Sequence, residues 1–326
     1  MKPGASQPTP VLDPLGYGVH LPYTTVLYPL GFRLDLVTNS QEVIQAAADD
    51  WASFPLLFHD RTLEVKVAVS NDDQAPCPTS LIWRAQGHLV ALESDRHNFA
   101  VCDLEKGFSF CWIVPATARN HDFLGAFFLR TLVQLPLWQT HLTRVHAACV
   151  ARNGQALLLC GASGAGKTCL AYACARRGWT LVTDEITSLV RNSKERTVLG
   201  NPRYMHFRDT ATAVLPELNG RLPSLNARGK MSFEVRTADL GTIDTAFESR
   251  AAAVVFLDRQ AGAPARSTPV CAADAFYGLD SDLPLFPQPL YDAHRAALRS
   301  LVAGGAFELR YHDLDEAVRL LDPLAG

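Results

Sequence analysis

The chain has 326 residues, of which 48% are hydrophobic and 19% charged, and its formal net charge is −3 at pH 7. This length is typical of about two domains, and the composition supports a large core and excludes extended disorder. The small net charge, with no block of like charges, argues against a broad nucleic-acid or anionic-membrane surface. Eight cysteines are scattered singly without a C-x-x-C pair, so a disulfide framework or zinc site is not expected and a reducing compartment is favoured.

The start of the chain, MKPGASQPTPVLDPLG, lacks the apolar stretch that secretion requires and predicts a flexible Pro-rich lead. The apolar segment 123–138 contains Arg130 and Pro136 and falls short of the ~20 apolar residues of a membrane span. Its phenylalanines share one helical face, which predicts a core helix. We therefore expect a soluble, cytoplasmic protein with no membrane partner and no nucleic-acid partner.

Residues 20–118 are predicted to be rich in strands, with one early helix. The segment FRLDLVT alternates apolar and polar residues, and Asn39 with Glu42 three residues later predicts a capping box at the start of a helix. Strands are predicted at TLEVKVAVS, at SLIWRAQGHLVALES with a turn at Gln86-Gly87, and at FSFCWIV. No catalytic signature is found in residues 20–118. The stretches around three tryptophans are expected to lie in the core: Trp51, Trp83 and Trp112.

From about residue 121 the pattern changes to helices that alternate with strands. Predicted helices cover residues 121–139, Lys167–Arg177 and two C-terminal segments, the second with Asp313 and Glu316 placed for a capping box. Predicted strands are RVHAACVAR, QALLLC, WTLVTD, RTVLG and AAAVVFLD. Residues 262–290, rich in Pro, Ala and Asp, predict a long irregular segment that is functional or mobile. The sequence thus predicts an α/β domain at 121–326 after a smaller β-rich domain at 1–120.

A phosphate-binding loop is the strongest signal in the sequence. GASGAGKT matches G-x-x-x-x-G-K-[ST] in full, with a predicted strand before it and a helix after it. Its backbone N–H groups and the helix N-terminus suit phosphate oxygens, while Lys167 reaches the β- and γ-phosphates and Thr168 ligates Mg²⁺. The nucleotide-binding candidates are Gly161, Ala162, Ser163, Gly164, Ala165, Gly166, Lys167, Thr168 and Cys169.

Two acidic strand ends compete for the remaining catalytic roles. One is Asp258, which ends a strand of Walker-B appearance, and the other is the pair Asp184-Glu185, one strand–helix unit beyond the loop. The pair is favoured, because one carboxylate can hold Mg²⁺ while the other accepts a proton from an attacking hydroxyl. Cys160 and Cys169, which flank the loop, are expected to fill apolar space and not to act as nucleophiles. No N-K-x-D or L-S-G-G-Q motif is present, which argues against a Ras-like guanine pocket and a transport ATPase.

The segment VHAACVARNGQALLLCGASGAGKTCLAYACARRGWTLVTDE resembles the catalytic core of the HPr kinase/phosphorylase family, a compact P-loop variant akin to PEP carboxykinase. The resemblance implies a kinase that uses ATP and Mg²⁺ to phosphorylate serine on a protein. It further implies that His146 lies near the reacting phosphate, that Asp184 is the base and that Glu185 binds the metal. Without the resemblance, His146 in an apolar strand reads as a core residue.

Three departures from the family pattern are visible. The second acid is Glu185 and not Asp. The Glu-Ile-Arg-Gly motif is replaced by GNPRYMHFRDT, with His206 and Arg208 in the nearest positions. The first 120 residues are unlike the family's usual N-terminal domain.

A closer resemblance is to the HPr-kinase-like proteins of ribosomal peptide biosynthesis, including lasso-peptide precursor kinases. It is carried by HAACVARNG, RRGWTLVTDE, GNPRYMHFRD and FELRYHDLDEAVRLL, and it implies a serine on a short precursor peptide as the acceptor.

Three weaker candidates lie downstream of the loop. Arg203 and Arg208 follow Gly200-Asn201-Pro202, where a loop could direct guanidinium groups at phosphate, although solvated surface arginines fit equally well. Lys230, after Gly229, is read as an exposed turn lysine in preference to a phosphate ligand.

Three functions remain open on the sequence. The preferred one is a serine kinase acting on a peptide or small protein, with free strand edges of the N-terminal domain as a peptide-docking surface. The alternatives are a kinase for a small hydroxyl metabolite and a nucleotide-dependent regulatory module without catalysis. A homo-oligomeric state is compatible with each of them.

Overall fold

The structure, a computed structural model, describes residues 18–213, 215, 218, 220, 223–225, 231–262, 264–284 and 287–326. The predicted Pro-rich lead and the turn at Gly229-Lys230 lie outside these residues. Across the described ranges, none of the helices has the length and apolar character needed to cross a membrane. All eight cysteines are free thiols.

The N-terminal part is a seven-stranded sheet with strand order β1-β2-β3-β7-β6-β5-β4, covered on one face by helix α1 (Gln41–Trp51). The strands β2, β3 and β7 are parallel to one another, and the remaining neighbours are antiparallel. The predicted strands agree with this sheet, and the turn between Ile82–Gln86 and Leu89–Asp95 is at Gly87-His88, one residue after the predicted position. Its strands are β1 (Tyr23–Leu27), β2 (Phe32–Thr38), β3 (Phe58–Val69), β4 (Ile82–Gln86), β5 (Leu89–Asp95), β6 (Asn98–Asp103) and β7 (Phe108–Ile113).

Two local predictions in this part are wrong. The residue that caps α1 is Ser40, without a side-chain cap bond, whereas Asn39 uses its amide to exchange two 2.8 Å hydrogen bonds with the backbone of Val69. Asn39 therefore fixes the start of α1 to β3 and does not cap the helix. Trp51 is buried as expected, but Trp83 is 51% exposed, because its strand β4 is the edge of the sheet and extends past the core.

The helical segment 115–140 packs against the N-terminal sheet. It consists of α2 (Pro115–Arg119), α3 (His121–Phe123), a π-helical stretch (Leu124–Leu129) and α4 (Arg130–Thr140). Its buried side chains, among them Phe128 and Leu132, join the core of the seven-stranded sheet, so the predicted core helix is confirmed. The first core consequently continues to Leu142, past the predicted domain boundary at residue 120.

The C-terminal part is built on a nine-stranded sheet with order β11-β9-β10-β17-β13-β12-β8, to which β19 and β18 are added beside β17. The predicted strand RVHAACVAR is two strands, since the chain breaks at His146 and β8 and β9 lie apart in the sheet. The strands are β8 (Leu142–Val145), β9 (Ala147–Arg152), β10 (Gln155–Cys160), β11 (Thr180–Thr183), β12 (Thr187–Val190), β13 (Thr197–Leu199), β17 (Glu248–Arg259), β18 (Arg266–Pro269) and β19 (Ala306–Tyr311).

Helices cover both faces of this sheet, so the fold class is α/β as predicted. On one face lie α5 (Lys167–Ala175) and α8 (Leu314–Leu321). On the other lie α6 (Ala272–Asp280) and α7 (Gln288–Val302). The prediction of an irregular segment at 262–290 is wrong over β18 and α6, and Asp313 caps α8 as predicted by accepting the N–H of Glu316 at 2.9 Å.

A separate three-stranded sheet, in the order β14-β16-β15, packs on α5. It comprises β14 (Tyr204–Arg208), β15 (Ser224–Leu225) and β16 (Met231–Arg236). Met205 and Phe207 of β14 are fully buried in the core that surrounds α5. Because successive strand residues alternate between faces, the intervening side chains of β14 point away from this core.

Asp50 of α1 anchors the helical segment 115–140 through a two-point ion pair. The carboxylate is 7% exposed and accepts from Nε and Nη2 of Arg130 at 2.7 Å each.

Substitution Asp50→Asn is expected to lower the free energy of unfolding by about 2 kcal/mol, since it leaves a half-buried guanidinium without its counter-charge. Urea unfolding followed by tryptophan fluorescence measures this loss. The neighbouring Asp49→Asn is the matched control and should cost less than about 0.5 kcal/mol, so equal losses would contradict the assigned role of the Asp50–Arg130 pair.

Candidate functional site

The glycine-rich loop (residues 161–168) connects the buried strand β10 to the start of α5. Gly164 and Gly166 have φ angles of 96° and 92°, in the left-handed region that side-chain-bearing residues avoid. A Cβ atom on Gly166 would lie 2.6 Å from the hydroxyl of Tyr311, which donates to the carbonyl of Ala165 at 2.9 Å. The loop therefore keeps its shape because glycine is required and Tyr311 braces it from β19.

Lys167 is folded back over this loop. Its Nζ donates to the carbonyl oxygens of Gly161 at 2.7 Å and Ala162 at 3.4 Å. Burial lowers the pKa of this amine, while the negative charges of Glu185 and Asp282 act in the opposite direction. Two carboxylates from different parts of the chain thus lie close enough to Lys167 to influence its charge.

Two arginine side chains lie next to the glycine-rich loop. Arg208 donates to the hydroxyl of Ser163, and its Nη1 would be 3.3 Å from a Cβ on Gly164. The side chain of Arg259, at the end of β17, passes within 3.7 Å of the equivalent atom on Gly166. Both cations are therefore available to an anion bound at the loop.

Arg203 is not brought to the loop. Its Nη1 donates to the carbonyl of Ala48 on α1 at 3.4 Å, and its guanidinium lies 5.8 Å from the ring centre of Tyr204. The side chain thus connects the C-terminal part to the N-terminal sheet.

The first turn of α5 holds Thr168 and Cys169, both half-buried. Burial raises the pKa of Cys169, and it raises the pKa of Cys160, below the loop, to about 12. Both thiols therefore stay protonated at neutral pH, as the prediction of space-filling cysteines requires.

His146 lies beside the loop because of the register of β9 and β10. Ala147 pairs with Cys160, so the residue before Ala147 is next to Gly161. The imidazole is half-buried, and burial together with the charge of Lys167 lowers its pKa, while Glu185 and Asp282 oppose the shift. His146 is consequently a neutral group at physiological pH.

Asp184 follows β11 and is only 4% exposed. Its Oδ2 accepts the backbone N–H of His206 at 2.6 Å and lies 3.4 Å from Nδ1 of the same residue. The other ring nitrogen of His206 is 3.4 Å from a carboxylate oxygen of Glu234 on β16. Burial alone would lower the pKa of His206, but the two flanking carboxylates raise it to about 10. The two carboxylates therefore favour the cationic form of the imidazole, which lies between Asp184 and Glu234.

The two acidic strand ends have different surroundings. Asp258 accepts hydrogen bonds from Nε of Arg310 at 3.1 Å and from the side-chain amide of Gln260 at 2.7 Å. Its carboxylate is therefore already paired with neighbouring side chains. Glu185 is half-buried and lies within electrostatic reach of Lys167 and His146. In the ranges that the structure describes, no set of three or more His, Cys, Asp or Glu side chains is arranged as a metal cage.

Four residues at this site were missed or left without a role by the sequence interpretation: Asp282, Arg259, His206 and Glu234. Asp282 belongs to the segment 262–290, whose acidic composition was the only signal for it. Arg259 directly follows Asp258 and carries the positive charge at the end of that strand. His206 and Glu234 are placed by the pairing of β14 with β16, which no local pattern announces.

The architecture defines an α/β protein in which a strand, a glycine-rich loop and a helix lie near the acidic pair Asp184-Glu185. No family model matches the sequence, and no curated protein matches it either. Among solved structures, the Hpr(Ser) kinase/phosphatase from Coxiella burnetii aligns over 56% of this chain and 92% of its own, with 12% identity and a TM-score of 0.31. The function proposed below does not depend on this similarity.

The bridging histidine predicts a pH-dependent stability. A pKa raised from 6.5 to about 10 gives stabilisation that is complete below pH 6.5 and is lost as the pH rises toward 10. Between pH 7 and 9.5, wild type should therefore lose about 1 to 2 kcal/mol more unfolding free energy than His206→Gln, allowing for the partial exposure of the ring. Denaturant titrations at the two pH values measure the difference. Parallel losses in the two proteins would show that His206 is not charged at neutral pH.

Proposed function

We propose that this protein is an ATP- and Mg²⁺-dependent kinase that transfers the γ-phosphoryl group to a serine hydroxyl of a peptide or small protein. The observation that carries the proposal is the proximity of the loop lysine, Lys167, to the acidic pair Asp184-Glu185. Lys167 on the glycine-rich loop lies within electrostatic reach of Glu185, whose neighbour Asp184 is a buried carboxylate. A ribosomally made precursor peptide, such as a lasso-peptide precursor, is the acceptor that the sequence resemblance favours.

The phosphate side of the reaction is assigned to the glycine-rich loop. Its backbone N–H groups and the N-terminus of α5 would receive the phosphate oxygens, because they are donors with a favourable helix dipole. Lys167 would exchange its carbonyl partners for the β- and γ-phosphates. Arg208 and Arg259 lie next to the loop and would stabilise the charge that develops on the transferred group.

Oxygen donors beside the loop fit a magnesium ion. The hydroxyl of Thr168 and the carboxylate of Glu185 are hard ligands of the kind Mg²⁺ prefers, and the ion commonly takes few protein ligands in addition to phosphate and water. When bound, Mg²⁺ neutralises phosphate charge and orients the chain of phosphates.

Asp184 is assigned as the base. It would accept the proton of the acceptor hydroxyl while that oxygen attacks the γ-phosphorus and the bond to the β-phosphate oxygen breaks, leaving ADP and a phosphoserine. The backbone N–H of His206 at 2.6 Å fixes the orientation of the carboxylate, and the imidazolium places positive charge beside it. His146, neutral and next to Gly161, would lie on the same side as the reacting phosphate.

Asp184→Asn is expected to reduce phosphoryl transfer by about 10²- to 10⁴-fold, the usual contribution of a general base, because the amide cannot accept the proton. Intact-mass spectrometry of a serine-containing acceptor peptide, incubated with ATP and Mg²⁺, measures the gain of one phosphoryl group. Binding of ATP, measured by calorimetry, should change less than about threefold, since Asp184 is assigned to the acceptor hydroxyl and not to the phosphates.

Asp258→Asn is the matched control, because this carboxylate also ends a strand but pairs with Arg310. It should retain transfer within about threefold of wild type. Loss of transfer in Asp258→Asn with retention in Asp184→Asn would exchange the two roles. ATP binding without transfer to any peptide would instead favour the small-metabolite kinase, or the regulatory module if metabolites also remain unmodified.

A further inference from the structure

One face of strand β14 leads from the glycine-rich loop to a cleft between the two parts of the protein. Arg208 contacts Ser163 of the loop, and the ring nitrogen Nδ1 of His206 lies 3.4 Å from a carboxylate oxygen of Asp184. Tyr204, two residues further back, lines the cleft. These side chains alternate with the buried Met205 and Phe207, so they share one face and follow one another at about 7 Å.

The cleft has a volume of about 460 Å³, within the range of ligand-binding pockets. One wall is formed by α1 and the start of the helical segment 115–140, and the other by β14, β16 and the turn that follows. Glu234 belongs both to this cleft and to the pair with His206. The side chain of His206 therefore lies between the inner end of the cleft and the proposed base, Asp184.

Carboxylates dominate the charge of the cleft. It contains five carboxylates, with two arginines and one histidine among the remaining lining residues. Arg130 is committed to Asp50 by two hydrogen bonds of 2.7 Å, which leaves Arg236 as the other guanidinium. Within the described part of the chain, Asp122 and Asp239 are exposed and make no ion pair. The carboxylates are Asp49, Asp50, Asp122, Glu234 and Asp239.

We propose that this cleft binds the phosphoryl acceptor and selects a peptide that carries a lysine or arginine close to the acceptor serine. The proposal rests on the kinase function proposed above and adds the substrate class. The acceptor hydroxyl lies at Asp184, and the chain leaves along the β14 face toward Tyr204. Since an extended peptide advances about 3.3 Å per residue, the 7 Å between neighbouring positions of this face places the basic residue about two residues from the serine. The unpaired carboxylates of the cleft receive its charge.

Position and charge together distinguish this cleft from an ordinary solvated acidic surface. Glu234 at its inner end contacts His206, which in turn lies next to the proposed base. Both parts of the protein build the cleft, and Arg203 connects them by its hydrogen bond to Ala48. An acidic acceptor would meet an excess of like charge there, and a neutral one would leave the exposed carboxylates without a partner. The geometry therefore favours a cationic peptide over either.

The test uses the full chain and two fluorescent serine peptides that are identical except for lysine or glutamate two residues from the serine. Fluorescence anisotropy measures binding, and intact-mass spectrometry with ATP and Mg²⁺ measures transfer. The lysine peptide should bind at least about tenfold more tightly, and a rise from 0.05 to 0.5 M salt should shrink this preference, because exposed charges are screened. Where transfer occurs, kcat/KM should show the same preference.

The variant Asp122→Asn/Asp239→Asn removes the two exposed carboxylates that form no ion pair among the described residues, so it leaves the ion pairs of the fold intact. It should reduce the lysine preference to about threefold or less while leaving ATP binding unchanged. Glu195→Gln, an exposed carboxylate outside the cleft, is the control and should keep the full preference.

The two proposals fail differently. A lysine preference in binding that depends on Asp122 and Asp239, without any transfer, would support the cleft and overturn the kinase function. Transfer to both peptides at equal kcat/KM, or a preference that survives the double variant, would overturn the cleft assignment and leave the kinase function intact.

Discussion

The hydrogen bond from the backbone N–H of His206 to Asp184 is the contact around which the site is organised. It joins the end of β11, in the nine-stranded sheet, to β14 of the small sheet, and its length is 2.6 Å. A carboxylate that is 4% exposed needs such donors, because burying its charge without them would be costly. By satisfying Asp184 in this way, the small sheet fixes its distance from the glycine-rich loop and brings Arg208 onto Ser163.

The N-terminal sheet is part of the same construction. The helical segment 115–140 packs into its core, Arg203 reaches across to α1, and Val190, Leu199 and Phe247 from the C-terminal part contact the same cluster. Removing the first 118 residues would therefore expose a hydrophobic core, and not only a docking surface. The role of this sheet in acceptor binding is for that reason better separated by substitutions at the cleft than by truncation.

Local sequence patterns succeeded where the cause of the structure is local. The alternation of β2, the glycines of residues 161–166 and the Asp313 cap each follow from a few neighbouring residues. These patterns failed where the local structure depends on a strand that is distant in the sequence. His146 interrupts a continuous apolar run because β8 and β9 pair with different strands, and Trp83 is exposed because nothing in its own stretch reveals that β4 is an edge.

The sequence by itself determined the α/β class, the glycine-rich loop and the candidate pair Asp184-Glu185, since these depend on residue types at fixed spacing. The tertiary structure alone decided which charges surround them. Asp282 and Arg259 are brought to the loop from strands and turns far along the chain, and the pairing of β14 with β16 sets His206 against Glu234. Strand order and the packing of one sheet on another are set by burial over the whole chain, which no short motif encodes.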